Sequence, residues 1–210
     1  MQNDIVSREE WLAARTALLA AEKKLAEARA LAVEQRRGLP WTRVDKAYGF
    51  DTPSGRQALG DLFEGRGRLI VYHFMFAPEW QQGCKYCSHL ADYFDRIEGH
   101  LAECDATFTA ISRAPLAKIE AYRQLRGWRF KWASSQPSDF NADYQVSFAA
   151  EEVARGEVFH GYERRKVDRT EFAGTSVFTR SPAGEVFHAY SAYDSGGDMP
   201  LSVNYRDLLG

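Results

Sequence analysis

Cysteine is scarce in this chain, with three in 210 residues, too few for a disulfide framework. An excess of either charge is also missing. Lys and Arg number 27 against 29 Asp and Glu, a net charge of −2, so the field of the whole molecule favours neither nucleic acid nor a membrane surface as partner. No apolar run is long enough for a bilayer. The longest, residues 69–77, is interrupted by His73 and reaches about half the length a crossing requires. The opening residues carry an Asp at position 4 and none of the basic and apolar regions of an export signal, which makes a cytoplasmic location the expectation. Internal repeats and low-complexity tracts are absent too. What remains is 45% apolar and 27% charged residues, the balance of one soluble domain with terminal extensions.

Ser7 followed three residues later by Glu10 is a capping-box pattern. Trp11, Ala14, Leu18, Ala21, Leu25, Ala28 and Ala32 then recur at spacings of three and four, which predicts one long helix running to about Arg37 and stopped by Gly38 and Pro40. Two uses fit it: an arm packed on its own domain, or the seam of a homodimer, thin because so many of its positions are Ala. Residues 44–50 read as extended, 51–55 as a turn, and 69–76 as a strand apolar enough to be buried on both faces. Beyond it, Leu90, Phe94, Ile97 and Leu101 predict a single amphipathic helix. Residues 107–111 read as the next strand, Leu116, Ile119, Tyr122 and Leu125 as a helix opened by Pro115 and closed by Gly127, and residues 128–132 as a third strand. Strand, helix, strand, helix, strand implies parallel crossovers. Residues 151–172 read as an insertion, 176–180 and 185–190 as a hairpin across Ser181-Pro182-Ala183-Gly184, and 202–209 as a last short helix.

Cys84-Lys85-Tyr86-Cys87 falls between the buried strand and the amphipathic helix. Cys84 is expected at the helix start, where unpaired backbone N–H groups stabilise a thiolate, and Cys87 one turn inside, where it can attack a mixed disulfide formed at Cys84. That assigns Cys84 as nucleophile and Cys87 as resolving thiol, with Lys85 adding positive charge and Tyr86 shaping the approach. Two other readings use the same residues. Both thiols can be inert core residues, or they can join His89, His73, His188 or Cys104 around a thiophilic metal, although the second tight ligand pair of a structural zinc site is missing. Cys104 stands alone in sequence, and His73 reads as a core histidine. Alternation along the last strand places His188 on the face of Val186 and Tyr190.

Open α/β sheets bind substrates at the carboxyl ends of their parallel strands, which here gathers residues 76–80, 112–113 and 133–136, with Asp139 and Asn141 close behind. Trp80 is a candidate docking surface or a lid over the core. Arg113 is a candidate cation for a thiolate or an anionic substrate, or else a salt-bridged residue of the mouth.

The run from Trp41 to Tyr193 resembles the thioredoxin-like superfamily, and more closely a bacterial family catalogued as domain of unknown function 899. Residues 41–46, 69–76, 83–88, 112–118, 138–141 and 176–178, with 186–188, carry the likeness. The resemblance implies an α/β thioredoxin-like fold with a mixed central sheet flanked by helices, a long N-terminal helix and a peroxiredoxin-like N-terminal elaboration. It divides the chain into a helical extension, residues 1–40, and a thioredoxin-like domain, residues 41–210, carrying the insertion. It also puts the cysteine pair at the thioredoxin-type position, which makes a thiol–disulfide oxidoreductase the expected activity and a noncatalytic ligand- or metal-binding module the alternative. No organic cofactor or resident metal is implied, and the expected partner is a thiol, a disulfide or another oxidised substrate. Two positions depart from better-known relatives. Gly174-Thr175-Ser176 stands where thioredoxin has a proline, which leaves Thr175 to fill that place. Gln81 stands where a peroxiredoxin has the Thr of Thr-x-x-Cys.

Overall fold

The computed structural model describes residues 4–193, so the helix expected over 202–209 lies outside the described residues. The chain divides into two compact units, one ending at Leu39 and the other beginning at Pro40. The first is helix α1 (Arg8–Arg37). Its capping box forms as read: the Glu10 N–H donates to Ser7 Oγ at 3.3 Å and the Ser7 N–H to the Glu10 carboxylate at 2.9 Å. Arg36 and Arg37 occupy its last turn, where positive charge suits the helix dipole. No residue of α1 is buried.

The second unit holds, in chain order, β1 (Thr42–Arg43), β2 (Gly49–Thr52), β3 (Gly55–Ala58), β4 (Arg68–His73), α2 (Lys85–Ala91), α3 (Glu98–Glu103), β5 (Ala106–Ser112), α4 (Leu116–Arg126), β6 (Trp132–Ser134), α5 (Phe140–Asp143), α6 (Ala150–Ala154), β7 (Val158–His160), β8 (Glu163–Arg165), β9 (Gly174–Arg180) and β10 (Val186–Tyr193). Eight strands form one sheet in the order β1-β10-β9-β4-β5-β6-β2-β3. β4, β5 and β6 are mutually parallel, and the remaining pairings are antiparallel. The sheet is therefore mixed. β4 lies inside it with Leu69, Ile70, Val71 and Tyr72 fully buried, as its nearly unbroken apolar run requires. Ile70 and Tyr72 face a cluster with Leu90, Phe94, Leu101, Phe108 and Ile119, while Leu69 and Val71 face one with Phe50, Phe63, Phe140 and Phe178.

Three expectations need correction, two of them for one reason. The amphipathic stretch after the cysteines is interrupted: α2 ends at Ala91, a 3-10 turn covers Phe94–Arg96, and α3 follows. The third parallel strand starts at Trp132 instead of residue 128. The Asp95 carboxylate accepts the N–H groups of Arg129 at 2.9 Å and Phe130 at 2.6 Å, and Asp92 accepts Trp128 Nε1 at 2.9 Å. Backbone donors of residues 129 and 130 thus go to a carboxylate on the neighbouring helical turn in place of a strand partner. Leu90, Phe94, Ile97 and Leu101 still face inward. The third correction concerns β10, where an extra residue interrupts the pairing between His188 and Tyr190. Val186 packs with the Phe140 cluster, and His188 meets Tyr144 and Phe178 of that cluster at 5.2 and 5.5 Å, whereas Tyr190 is turned to the opposite cluster.

Of the extended piece foreseen over 44–50 only Gly49 and Phe50 are strand, the start of β2, while β1 precedes it at Thr42–Arg43, and Thr52 to Gly55 turns the chain into β3. The insertion contains α6 and a separate two-stranded ribbon of β7 and β8. Residues 166–173 then return without helix or extended strand, tied to residues 146–148 by a bridge between Ser147 and Glu171 and by hydrogen bonds from the Phe148 N–H to the Thr170 carbonyl and from the Phe172 N–H to the Val146 carbonyl.

Candidate active site

Past His73 the chain leaves the sheet in a loop, residues 74–84, whose shape sets the position of Cys84. The Ser112 hydroxyl donates to the Phe74 carbonyl at 2.6 Å and the Ala114 N–H to the Phe76 carbonyl at 2.8 Å. Lys118 Nζ holds the outer part by donating to the carbonyls of Pro78 at 2.6 Å and Trp80 at 2.9 Å. The Cys84 N–H closes the loop on the Met75 carbonyl at 3.0 Å. Gly83 is required here because a Cβ at that position would stand 2.6 Å from Phe74 Cε1 and 3.0 Å from Tyr122 Cε1.

Cys84 caps α2 and Cys87 follows one turn inside it. The Cys84 carbonyl accepts the Ser88 N–H at 2.9 Å and the Ser88 hydroxyl at 2.8 Å. Cys84 is partly exposed and Cys87 is fully buried, and neither is in a disulfide. Their acidities diverge. The Cys87 thiol donates to the Cys84 sulfur, and this hydrogen bond, assisted by the N–H groups of Cys87 and Tyr86 and by the charge of Arg169, outweighs burial and lowers the Cys84 pKa to about 6. Burial drives the Cys87 pKa well above the ordinary thiol value, and the charge that forms on Cys84 pushes it the same way. The Tyr72 hydroxyl and the Met75 N–H, donating to the Cys87 sulfur, offset part of this.

The other residues singled out by the sequence separate into those near the pair and those elsewhere. Lys85, Tyr86 and His89 occupy the exposed side of α2. Tyr86 serves Cys84 through its backbone N–H, while the His89 ring meets Tyr93 at 6.0 Å. Trp80 packs against the core cluster that contains Cys87. Thr175 pairs with Tyr72 across β9 and β4, so its side chain shares the face of Tyr72 and Cys87. It is fully buried, and its hydroxyl has no hydrogen-bond partner among the described residues. Arg113 is committed to Glu171: its Nε and Nη2 reach Glu171 Oε1 at 2.9 and 2.6 Å. Asp139 is ion-paired with Lys46 at 3.0 Å on the exposed side of α5, and Asn141 is buried, accepting the Ser135 hydroxyl at 2.6 Å. His73 is a core residue held neutral, its pKa lowered to about 3 by burial and by His188, with Nε2 on the Ser176 hydroxyl at 2.8 Å. Cys104 ends α3 just before β5, whereas the pair lies beyond the opposite ends of the strands, roughly 20 Å away by the length of β5. Among the described residues no group of three or more His, Cys, Asp or Glu side chains is disposed to hold a metal ion.

Arg169 is the residue that reading the sequence did not find. It lies in the insertion, far from the cysteines in sequence and with no motif around it. The one signal was indirect: an insertion that returns to the sheet immediately before Thr175 has to pass the carboxyl ends of the strands.

The architecture has counterparts among solved structures. A peroxidoxin from Mycobacterium tuberculosis, BcpB, superposes with a TM-score of 0.54 at 14% identity, over 81% of this chain and 94% of that one. The bacterioferritin comigratory protein of Xanthomonas campestris, whose structure addresses its own alkyl peroxide reduction, gives 0.51 at 9% identity over 77% and 87%. Xylella fastidiosa PrxQ gives 0.50 at 11% identity over 77% and 85%. At these identities the likeness establishes the thioredoxin- and peroxiredoxin-like fold. No curated protein matches the chain. No helix among the described residues is long and apolar enough to cross a membrane. Residues 1–208 match the family model described as bacterial protein of unknown function (DUF899), and the chain belongs to that family.

Proposed function

We propose that this protein is a thiol–disulfide oxidoreductase that cycles Cys84 and Cys87 between dithiol and disulfide. The observation that carries the reading is the opposite acidity of two thiols one helical turn apart: a partly exposed Cys84 lowered to about 6 and a buried Cys87 held protonated. A thiolate that is open to solvent at neutral pH attacks disulfides, and its low pKa also makes it a good leaving group.

The cycle balances as follows. The Cys84 thiolate attacks one sulfur of a substrate disulfide, forming a mixed disulfide and expelling the first substrate thiolate, which takes a proton from solvent. Cys87 then loses its proton and attacks the Cys84 sulfur. This closes the Cys84–Cys87 disulfide and expels the second substrate thiolate. The substrate gains two electrons, which the pair has lost, and an external thiol restores the dithiol. Formation of the mixed disulfide removes the negative charge on Cys84 that opposes ionisation of Cys87, so the second attack becomes easier once the first is complete. The small aromatic disulfide 5,5′-dithiobis(2-nitrobenzoate) serves as probe substrate. Cys84→Ser is expected to remove the fast reaction, and Cys87→Ser to stop at a mixed disulfide detectable by mass. Equal reaction of both variants, or stable metal in protein purified without added metal that is lost when either cysteine is replaced, contradicts the reading.

A further inference from the structure

Helix α1 is 30 residues long, and none of its residues is buried. A helix in water draws most of its stability from an apolar face packed against a partner, and α1 leaves such a face uncovered. Trp11, Leu18 and Leu25 are 54, 54 and 52% exposed. They recur at intervals of seven, and Ala14, Ala21 and Ala28 stand three residues after each of them. The two sets therefore alternate along one seam with the period of a coiled coil. Leu12 and Leu19, one residue past Trp11 and Leu18, are exposed as well and widen the face.

Size and charge along this seam select the partner and its direction. In a parallel pair of these helices each residue meets its own copy, so layers of two Leu alternate with layers of two Ala. A spacing that suits one kind of layer leaves the other crowded or empty. In an antiparallel pair registered so that Trp11 faces Ala28, Leu18 faces Ala21 and Leu25 faces Ala14, every layer joins one large residue to one small, which fills the seam evenly. The edge beside the seam carries Arg15 and Glu22, exposed side chains that reach each other within one helix at 2.9 Å. In the antiparallel register this edge meets its own copy, and Arg15 of each helix lies next to Glu22 of the other. Sliding the pair by one heptad sets Glu22 against Glu22 in one direction and Arg15 against Arg15 in the other. Arg8 and Arg29 fall against each other near the two ends, where solvent screens them. The helix dipoles also run head to tail in this arrangement.

We propose that α1 is a homodimerisation surface whose occupant is α1 of a second copy of this chain, packed antiparallel over residues 8–31. The proposal stands apart from the dithiol reading and uses none of its residues. The alanines, which make a parallel seam thin, are here the small half of every layer.

The test is sedimentation equilibrium of the reduced full-length protein over a dilution series. The wild type is expected at twice the mass of one chain, dissociating on dilution, and Leu18→Glu as a single chain throughout. Ala21→Leu decides the direction of packing. It sets large against large in the antiparallel layers and is expected to weaken association about tenfold or more, whereas it would fill and tighten a parallel seam. Arg15→Glu and Glu22→Arg are each expected to weaken the dimer about tenfold, and together to restore it, because the pair between copies is rebuilt with its charges exchanged. All replacements are good helix formers at exposed or half-exposed positions, and circular dichroism checks that each variant keeps its helix. A wild type that stays a single chain at every concentration, an assembly larger than two, or a dimer indifferent to Leu18→Glu overturns the proposal. So does tighter association in Ala21→Leu, or a charge exchange that fails to restore the dimer.

Discussion

Cys87 and Cys84 belong to differently built regions. Around Cys87 the structure is regular: β4 with Tyr72, helix α2, and a packed set of rings in which Phe94, Phe108, Phe130 and Trp132 meet one another. Around Cys84 it is irregular, assembled from the 74–84 loop and from the insertion that brings Arg169. The first region fixes where the two sulfurs lie and keeps one of them protonated. The Cys87 thiol and the N–H groups that lower the other belong to α2 as well, and the irregular region adds the charge of Arg169. The same two residue types, one turn apart on one helix, thereby acquire opposite acidities.

Substitutions in the two regions separate those contributions. The largest effect is expected in the regular region: Phe130→Ala, at a fully buried ring, costs about 3–5 kcal/mol of stability in urea unfolding and leaves the alkylation midpoint of Cys84 in the folded protein where it was. If the midpoint moves with it, the two regions are not separable. Next is the junction between them. Gly83→Ala forces a methyl against Phe74 and Tyr122, and a cost of about 1–3 kcal/mol should come with weaker N–H contacts to the Cys84 sulfur and a raised midpoint. Cys87→Ala removes the leading cause of the low Cys84 pKa. A hydrogen bond to a charged group contributes about 1.5–3 kcal/mol, so the midpoint should rise by about one to two units.

Tyr72→Phe removes a donor to Cys87 and should slow resolution of a preformed mixed disulfide about fivefold, the equivalent of about 1 kcal/mol, with the first attack unchanged. The smallest effect belongs to Asp139→Asn, at an exposed ion pair with Lys46. It should alter stability by no more than about 0.5 kcal/mol and leave both thiols unchanged, and a shifted Cys84 profile would extend the rim to α5.

What the sequence discloses follows the same division. The capping box of α1 and the Gly127 stop of α4 are local signals with local causes and read correctly, and the apolar run finds β4 but overruns its end, since residues 74–76 have left the sheet. The position of Cys84 at the start of α2 follows from its place between strand and helix. What stays hidden depends on contacts between distant segments. Asp95 interrupts a helix and shortens a strand because its carboxylate meets the backbone of residues 129 and 130, a pairing no window of sequence contains. Arg113 reads from sequence as either a site cation or a salt-bridged residue, and the partner that decides, Glu171, comes from a distant segment, as does Arg169, whose charge acts on Cys84 only through the course of the insertion. Irregular segments have no period from which the direction of a side chain can be inferred.

The central claim is the divergence of the two thiols, and one measurement addresses it most directly: alkylation of the reduced wild-type protein across pH, with Cys84 and Cys87 quantified separately by peptide mass spectrometry. The account predicts half-maximal labelling of Cys84 near pH 6, while Cys87 resists labelling well beyond the ordinary thiol range. Because the folded value of Cys84 lies below that of a free thiol, ionising it stabilises the reduced fold in alkaline solution, and that contribution is lost as pH falls through about 6. Two cysteines that label together, with a common midpoint near that of an unperturbed thiol, would contradict the account.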